Sequence, residues 1–152
     1  MKKKGLLIVL LVVALFTLTG CITKKALSSA EVKAIVEKEG FTATEDTESY
    51  QEYDHIKEVL ELGNTNFYLQ FFVISDVEKA KTLFNNNKEL IDNNREGNYT
   101  NSSLSGKNYE TYELISGGYY MYVSRVDNTL VYVMQKEEYK DEIKKIIKAL
   151  KY

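Results

Sequence analysis

Apolar residues recur at helical spacing in three parts of the chain. The first repeat begins after Ser28, whose hydroxyl can cap a helix while Glu31 completes a capping box. A longer repeat begins at Ser75 or Asp76, and a third covers residues 137–151. Each repeat has apolar side chains on one side and polar ones on the other, so we expect three amphipathic helices that pack on other elements.

Shorter segments rich in β-branched and aromatic residues predict strands. Phe67–Ile74 is the clearest, and because both of its alternating faces carry apolar or aromatic residues, we expect both to be covered. Asn98–Lys107 has few apolar residues, and we expect an irregular, mobile segment there. The other predicted strands are Phe41–Glu45, most of His55–Leu62, Tyr109–Ile115, Tyr119–Val126 and Thr129–Gln135.

Turn residues connect the last three predicted strands into hairpins. Ser116-Gly117-Gly118 separates the first pair, and Asp127-Asn128 separates the second as a two-residue loop. Connections this short require antiparallel pairing. The chain is therefore predicted to belong to the α+β class, with an antiparallel sheet of about five to six strands packed with helices, in the order α-βββ-α-βββ-α.

The first 21 residues have a different pattern. Three lysines at positions 2–4 precede an apolar run, Leu6–Leu18, that is too short to span a hydrocarbon core about 30 Å thick. The run ends in Leu18-Thr19-Gly20-Cys21, which resembles the lipobox of bacterial lipoproteins. The resemblance implies cleavage before Cys21 and a diacylglyceryl thioether on its sulfur.

This interpretation divides the chain into a lipoprotein signal peptide (1–20), a lipidated cysteine with a short tether (21–27) and one extracytoplasmic α+β domain (28–152). We expect the protein at the cell membrane, held on the extracytoplasmic side by two acyl chains, because two chains anchor stably where one does not. An ordinary secretory signal is the alternative. Cys21 is the only cysteine, so its acylation leaves the domain no thiol for a disulfide, a nucleophile or a metal.

Charge narrows the range of partners. From Cys21 onward the chain has 17 basic and 22 acidic residues, a net charge of −5. This balance argues against nucleic acid, whose binding requires a basic surface. The expected partners are the membrane, through the lipid on Cys21, and an envelope protein or cell-wall ligand.

The histidine, serine, cysteine and acidic residues of the chain do not form a recognisable catalytic or metal-binding motif. His55 is the only histidine, and no serine or cysteine nucleophile lies in a motif that it would serve, so we interpret it as a surface residue. The acidic loop Asp46–Asp54 offers carboxylates to calcium but lacks the Asp-x-Asp-x-Asp-Gly spacing with a distal glutamate. We interpret it as a solvated loop, and predict no catalytic, cofactor or metal residue.

Tyrosines in the predicted sheet are the best candidates for a binding surface. A tyrosine offers both an aromatic face and a hydroxyl, although it is also an ordinary strand residue on a half-buried face. Alternation along Tyr119–Val126 places Tyr120 and Tyr122 on one side, and we expect the helices to cover the other, more apolar side. Arg125 then lies at the strand end, where it either contributes to the same ligand face or holds the following turn.

Four features of the chain together resemble a family of small uncharacterised lipoproteins of Gram-positive bacteria. They are the lipobox, the strand Phe67–Ile74 running into Asp76–Ala80, the segment Tyr119–Thr129, and a Lys/Ile-rich final helix that ends in Tyr152. The resemblance implies a membrane lipoprotein and carries no known activity. We therefore expect a non-enzymatic binding or accessory role, and the alternative is an envelope hydrolase or another enzyme with an unrecognised active site.

Overall fold

The computed structural model describes residues 23–152, so the predicted signal peptide and Cys21 lie outside the described residues. In this range, three helices are separated by a run of three strands and a run of four, with short 3₁₀ turns at Thr47–Tyr50 and Glu137–Tyr139. Along the chain they are α1 (Ser29–Lys38), β1 (Thr42–Glu45), β2 (Ile56–Gly63), β3 (Tyr68–Ile74), α2 (Val77–Asn93), β4 (Tyr99–Ser105), β5 (Tyr109–Ser116), β6 (Tyr119–Val126), β7 (Thr129–Lys136) and α3 (Lys140–Leu150).

The strands form one antiparallel sheet in the order β1-β2-β3-β7-β6-β5-β4. It consists of two meanders, β1-β2-β3 and β4-β5-β6-β7, which meet where β3 pairs with β7 and Phe71 lies opposite Val131. Helix α2 connects the inner strand β3 to the edge strand β4. The prediction of an α+β fold with an antiparallel sheet and packed helices is therefore confirmed, but the sheet has seven strands rather than five or six.

The additional strand is β4, in the segment predicted to be irregular and mobile. All seven of its residues are exposed, and it pairs with β5 so that Ser102 lies opposite Glu113. An edge strand is held by backbone hydrogen bonds to one neighbour, and here neither of its faces is buried. Apolar residues therefore do not alternate along it, which is why the hydrophobic pattern missed it.

Each face of the sheet has its own core. On one face the strands pack against α1 and α3, and the buried residues include Leu62, Leu69, Phe71, Val131, Val36, Ile143 and Ile146. On the other face they pack against α2, and the buried residues include Phe72, Leu114, Leu130, Ala80, Phe84 and Ile91. Both faces of β3 contribute to these cores, as its pattern predicted. In β6, only the first residue is exposed.

The ends of α1 and α2 have the capping residues that the sequence predicted. Ser28 and Glu31 form the predicted capping box at the start of α1. The helix ends before Gly40, which has φ +87° and so adopts the left-handed conformation that closes many helices. Helix α2 is capped by Asp76, whose carboxylate accepts the Lys79 amide at 2.8 Å. Of the two predicted starting positions, Asp76 is therefore the cap.

Most of the predicted tether lies against the domain. The Lys24 amide donates to Asn108 Oδ1 at 3.0 Å, and Asn108 Nδ2 donates to the Lys24 carbonyl at 2.8 Å. Farther along, Ala26 and Leu27 pack on the core beneath α1 and α3, and the Leu27 amide donates to the Tyr152 hydroxyl at 3.4 Å. From Lys24 onward the tether is therefore part of the folded structure.

Phe71 provides a test of this packing. Its side chain is fully buried, and its ring lies edge-on to Tyr152 with centroids 6.0 Å apart. Phe71→Ala should lower the free energy of unfolding by roughly 3–5 kcal/mol, because it leaves a cavity between the sheet and α3. Urea denaturation measures the change. Leu104→Ala, at a position on β4 that is 57% exposed, is the control and should have little effect.

Candidate functional site

Tyr120 and Tyr122 belong to the core. They lie on the face covered by α1 and α3 and are 0% and 7% exposed, with their rings stacked at a centroid distance of 6.4 Å. The prediction that they form an exposed pair is therefore wrong. It assumed that helices cover only one face of the sheet, whereas helices cover both faces of β6 and leave no solvent side for this pair.

The Tyr120 hydroxyl has a charged partner. The Tyr120 hydroxyl donates to Glu113 Oε2 at 2.9 Å, and Lys144 Nζ lies 3.1 Å from Glu113 Oε1 and 5.4 Å from the Tyr120 ring centroid. Burial, with the nearby Glu113 carboxylate, raises the pKa of the Tyr120 phenol. Burial also raises the pKa of Tyr122 to about 12. The contacts of Tyr120 join β5, β6 and α3, and burial keeps the ring of Tyr122 in the core.

Arg125 holds the end of the last hairpin. Its guanidinium is almost fully buried, with Nε and Nη2 each 3.0 Å from Glu110 Oε2. Nη1 donates to the Asp127 carbonyl at 3.0 Å and to the Asn108 carbonyl at 3.4 Å. The contact with the turn at Asp127 is the one that the sequence predicted. Because the guanidinium is occupied by these partners, the structural interpretation of Arg125 fits the geometry and the ligand-binding one does not.

Exposed tyrosines lie on the opposite face, beyond the area that α2 covers. Tyr68 is 49% exposed and Tyr119 is 48% exposed, while Tyr132 and Met134 are half-buried between them on β7. Gln70 lies directly opposite Tyr132 in the pairing of β3 with β7. We call this set, Tyr68, Gln70, Tyr119, Tyr132 and Met134, the tyrosine surface.

The turns before β3 and β6 position the two most exposed rings of this surface, those of Tyr68 and Tyr119. Before β3, Asn64 Oδ1 accepts the amides of Asn66 at 2.8 Å and Phe67 at 3.3 Å, and this side-chain turn directs the chain into Tyr68. Before β6, Gly117 and Gly118 have φ of +58° and +79°. Two positive φ values in succession give the two-residue turn whose twist suits a hairpin, so Tyr119 begins the strand in register with β5.

Neutral hydrogen-bonding groups lie at the β3 end of this surface, together with the carboxylate of Glu61, which is directly opposite Gln70 in the pairing of β2 with β3. Gln70 Nε2 donates to the Tyr50 hydroxyl at 2.6 Å, and the Tyr50 ring lies edge-on to Phe72 at 5.4 Å. Burial raises the pKa of the phenols of both Tyr50 and Tyr132, so both are uncharged near neutral pH and can donate or accept a hydrogen bond. The surface can therefore offer stacking and neutral hydrogen bonds together.

A shallow cavity extends the tyrosine surface at one end. It has a volume of about 250 Å³ and lies between the end of α2 and the turn that joins β5 to β6. Its walls are Asn94, Glu96, Ser116, Gly117, Tyr119, Met121 and Met134. The aromatic, thioether, amide and carboxylate groups around this recess suit a ligand with both an apolar face and hydrogen-bond donors.

The sequence contained a signal for this surface. In the alternation of β3, Tyr68 and Gln70 share a face with Phe72 and Ile74, and the polar Gln70 marks the part of that face which is not fully buried. Tyr119 was assigned to the side opposite Tyr120, which is correct. What the sequence analysis missed is where α2 stops covering the sheet.

The other candidates lie elsewhere. His55 is half-buried at the start of β2, where its ring lies edge-on to Tyr53 at 6.1 Å and its carbonyl accepts the Ser75 amide at 2.8 Å. In the acidic loop, Ser49 donates to Asp46 at 2.5 Å. Among residues 23–152, no group of three or more histidine, cysteine, aspartate and glutamate side chains is placed to hold a metal ion.

Comparisons with known proteins add little. No protein-family model and no curated protein matches the chain. A solved structure that matches is described as a GTP binding regulator from Thermotoga maritima; it is 15% identical, with a TM-score of 0.48, and the match covers 84% of this chain and 90% of that chain. At this identity and score the similarity carries no argument about function. Within the described part of the chain, no helix is long and apolar enough to cross a membrane.

The buried phenols predict how stability depends on pH. Because the pKa of Tyr122 is about 12 in the folded protein and about 10 in an unfolded chain, the folded state favours the neutral phenol. This contribution, on the order of 3 kcal/mol, is complete below pH 10 and is lost as the pH rises to about 12. The free energy of unfolding, measured by urea denaturation, should fall across that range and fall less steeply in Tyr122→Phe. The same slope in both proteins would contradict the assignment.

Proposed function

We propose that this chain is a lipoprotein of the cell membrane, anchored through Cys21 on the extracytoplasmic side, and that its domain has a non-enzymatic binding role. The four-residue lipobox at 18–21 supports the anchor. The exposure of Thr23, two residues after Cys21, also supports it. We further propose that the chain belongs with the small Gram-positive lipoproteins that it resembles.

The tyrosine surface is the observation that carries the binding role. Tyr68 and Tyr119 each expose about half of their area, although both lie on the inner strands of the sheet rather than at its edges. Aromatic pairs contribute about 0.5–1.5 kcal/mol each beyond the area that they bury, so two exposed rings give a useful contact. The proposed partner is a neighbour in the envelope, either a protein or a cell-wall ligand.

The lipid anchor is tested by Cys21→Ala. Without the two acyl chains the protein loses most of its membrane affinity, so it should leave the membrane fraction. Fractionation of cells that express each form measures this, and mass spectrometry of the wild-type protein reports the lipid itself. A Cys21→Ala protein that remains with the membranes as completely as the wild type would overturn the anchor.

The binding role is tested by Tyr68→Ala/Tyr119→Ala. Both rings are half exposed, so the double variant should keep its thermal stability while losing most of its crosslinked partner in native membranes. Tyr53→Ala, which removes a ring that is 46% exposed in the loop before β2, is the matched control and should keep the partner. Crosslinking followed by purification measures the yield.

Two results would count against this surface. One is an unchanged yield of crosslinked partner in a stably folded Tyr68→Ala/Tyr119→Ala protein. The other is an equal loss in Tyr53→Ala, because that would show a general dependence on exposed tyrosine rather than on this surface. A Tyr120→Ala/Tyr122→Ala variant is not informative here, since both rings are core residues and their removal would destabilise the fold.

A further inference from the structure

The tether is tied to two turns at one end of the sheet. Asn108, in the turn between β4 and β5, exchanges two hydrogen bonds with Lys24, and its Nδ2 also donates to Asp127 Oδ2 at 2.9 Å in the turn between β6 and β7. The Asn108 carbonyl in turn accepts the Asp127 amide at 2.8 Å. Asn108 therefore fixes the point at which the N-terminal chain leaves the domain.

The chain beyond this point is short. Only Ile22 and Thr23 separate Lys24 from Cys21. At about 3.3–3.6 Å for each residue, the Cys21 sulfur can be no farther than roughly 11–14 Å from the position where Lys24 is held. A lipid on Cys21 would therefore bring this end of the sheet to the membrane surface. A free tether of the length expected from the sequence would leave the orientation of the domain undefined.

Basic side chains gather at the same end. Lys24, Lys25 and Lys151 line one groove of about 370 Å³ together with Thr23 and Leu27. Lys107 is exposed next to Asn108 in the adjacent turn. Three carboxylates lie nearby: Glu31 pairs with Lys25, Glu110 pairs with Arg125, and Asp127 accepts from Asn108. The four lysines and Arg125 against these three carboxylates leave a net side-chain charge of +2 at this end.

This placement contrasts with the charge of the whole domain. The chain from Cys21 onward is acidic, at −5, yet four lysines lie around the point where the tether leaves. A lysine close to an anionic membrane surface is attracted to that surface. Lysines at one end of an otherwise acidic domain are attracted to such a surface while the rest of the domain is repelled, which favours a single orientation.

We propose that Lys24, Lys25, Lys107 and Lys151, with the docked tether, form a surface that binds the headgroups of anionic phospholipids and holds the domain in one orientation on the membrane. The inference rests on the proposed lipid anchor at Cys21. In this orientation β6 runs from the membrane-proximal turn at Asp127 to Tyr119 at its far end. Seven steps along β6 separate Tyr119 from Val126 by about 23 Å, so the tyrosine surface lies at the end of the sheet that points away from the bilayer.

Fluorescence quenching on the lipidated full-length protein tests the orientation. With Cys21 acylated, a cysteine introduced elsewhere is the only free thiol to label. Ser105→Cys lies at the lysine-bearing end, and Thr65→Cys lies in the turn between β2 and β3 at the opposite end; both positions are exposed. In vesicles of phosphatidylcholine and phosphatidylglycerol, a quencher on the lipid headgroup should quench the label at 105 several-fold more than the label at 65.

Two variants separate the tether from the lysines. Asn108→Ala frees the tether, so the two labels should be quenched equally while the protein stays on the vesicles. Lys107→Gln/Lys151→Gln should also reduce the difference in quenching between the two labels, without altering buried contacts. Vesicles of phosphatidylcholine alone should reduce that difference for the wild-type protein. Lys136→Gln/Lys140→Gln removes two lysines near the other end of the sheet and is the matched control, which should keep the difference between the labels.

The outcomes are distinguishable. Equal quenching at 105 and 65 in a wild-type protein whose mass shows the lipid would overturn the docking surface and leave the anchor intact. A difference that persists in Lys107→Gln/Lys151→Gln would overturn the role of the lysines. A mass without lipid on Cys21 would overturn the anchor, and the docking surface with it.

Discussion

The pairing of β3 with β7 is the interaction on which the rest of the structure depends. It joins two meanders into one sheet, and it places the most apolar strands at the centre, where both faces need cover. Helices α1 and α3 cover one face and α2 covers the other. Because helices pack on both sides of the sheet, little of either face is exposed to solvent. On the side of α2, the length and position of that helix determine which strand residues remain exposed.

The sequence predicted the features that are determined locally. The capping box of α1, the cap of α2, the turn at Asp127-Asn128 and the strands other than β4 depend on residues a few positions apart, and the structure has them. It did not predict β4, because that strand is held by the backbone of β5 and has no buried side. Hydrophobic spacing reports burial, so an exposed edge strand gives no such signal.

At the candidate site too, the sequence predicted what is determined locally and missed what depends on long-range packing. Alternation correctly separated Tyr120 and Tyr122 from Tyr119, because neighbouring strand residues point to opposite faces. It could not say which face the helices leave open, since that depends on how α2 packs across strands that are distant in sequence. The aromatic residue type was therefore a good guide to the candidate surface, and the choice of side was wrong. Arg125, by contrast, was placed correctly at its turn because its partner there is two residues away.

With the lipid anchor proposed at Cys21, the docked tether has a consequence for how long the protein stays on the cell. Proteases cut exposed, extended chain far more readily than chain held by hydrogen bonds and packing. A lipoprotein on a free linker is shed by one cut in that linker, whereas here Lys24 to Leu27 lie against Asn108, Tyr152 and the core. Cleavage within this stretch has to wait for a local opening of the fold. Retention on the cell would then be governed by the stability of this end of the domain.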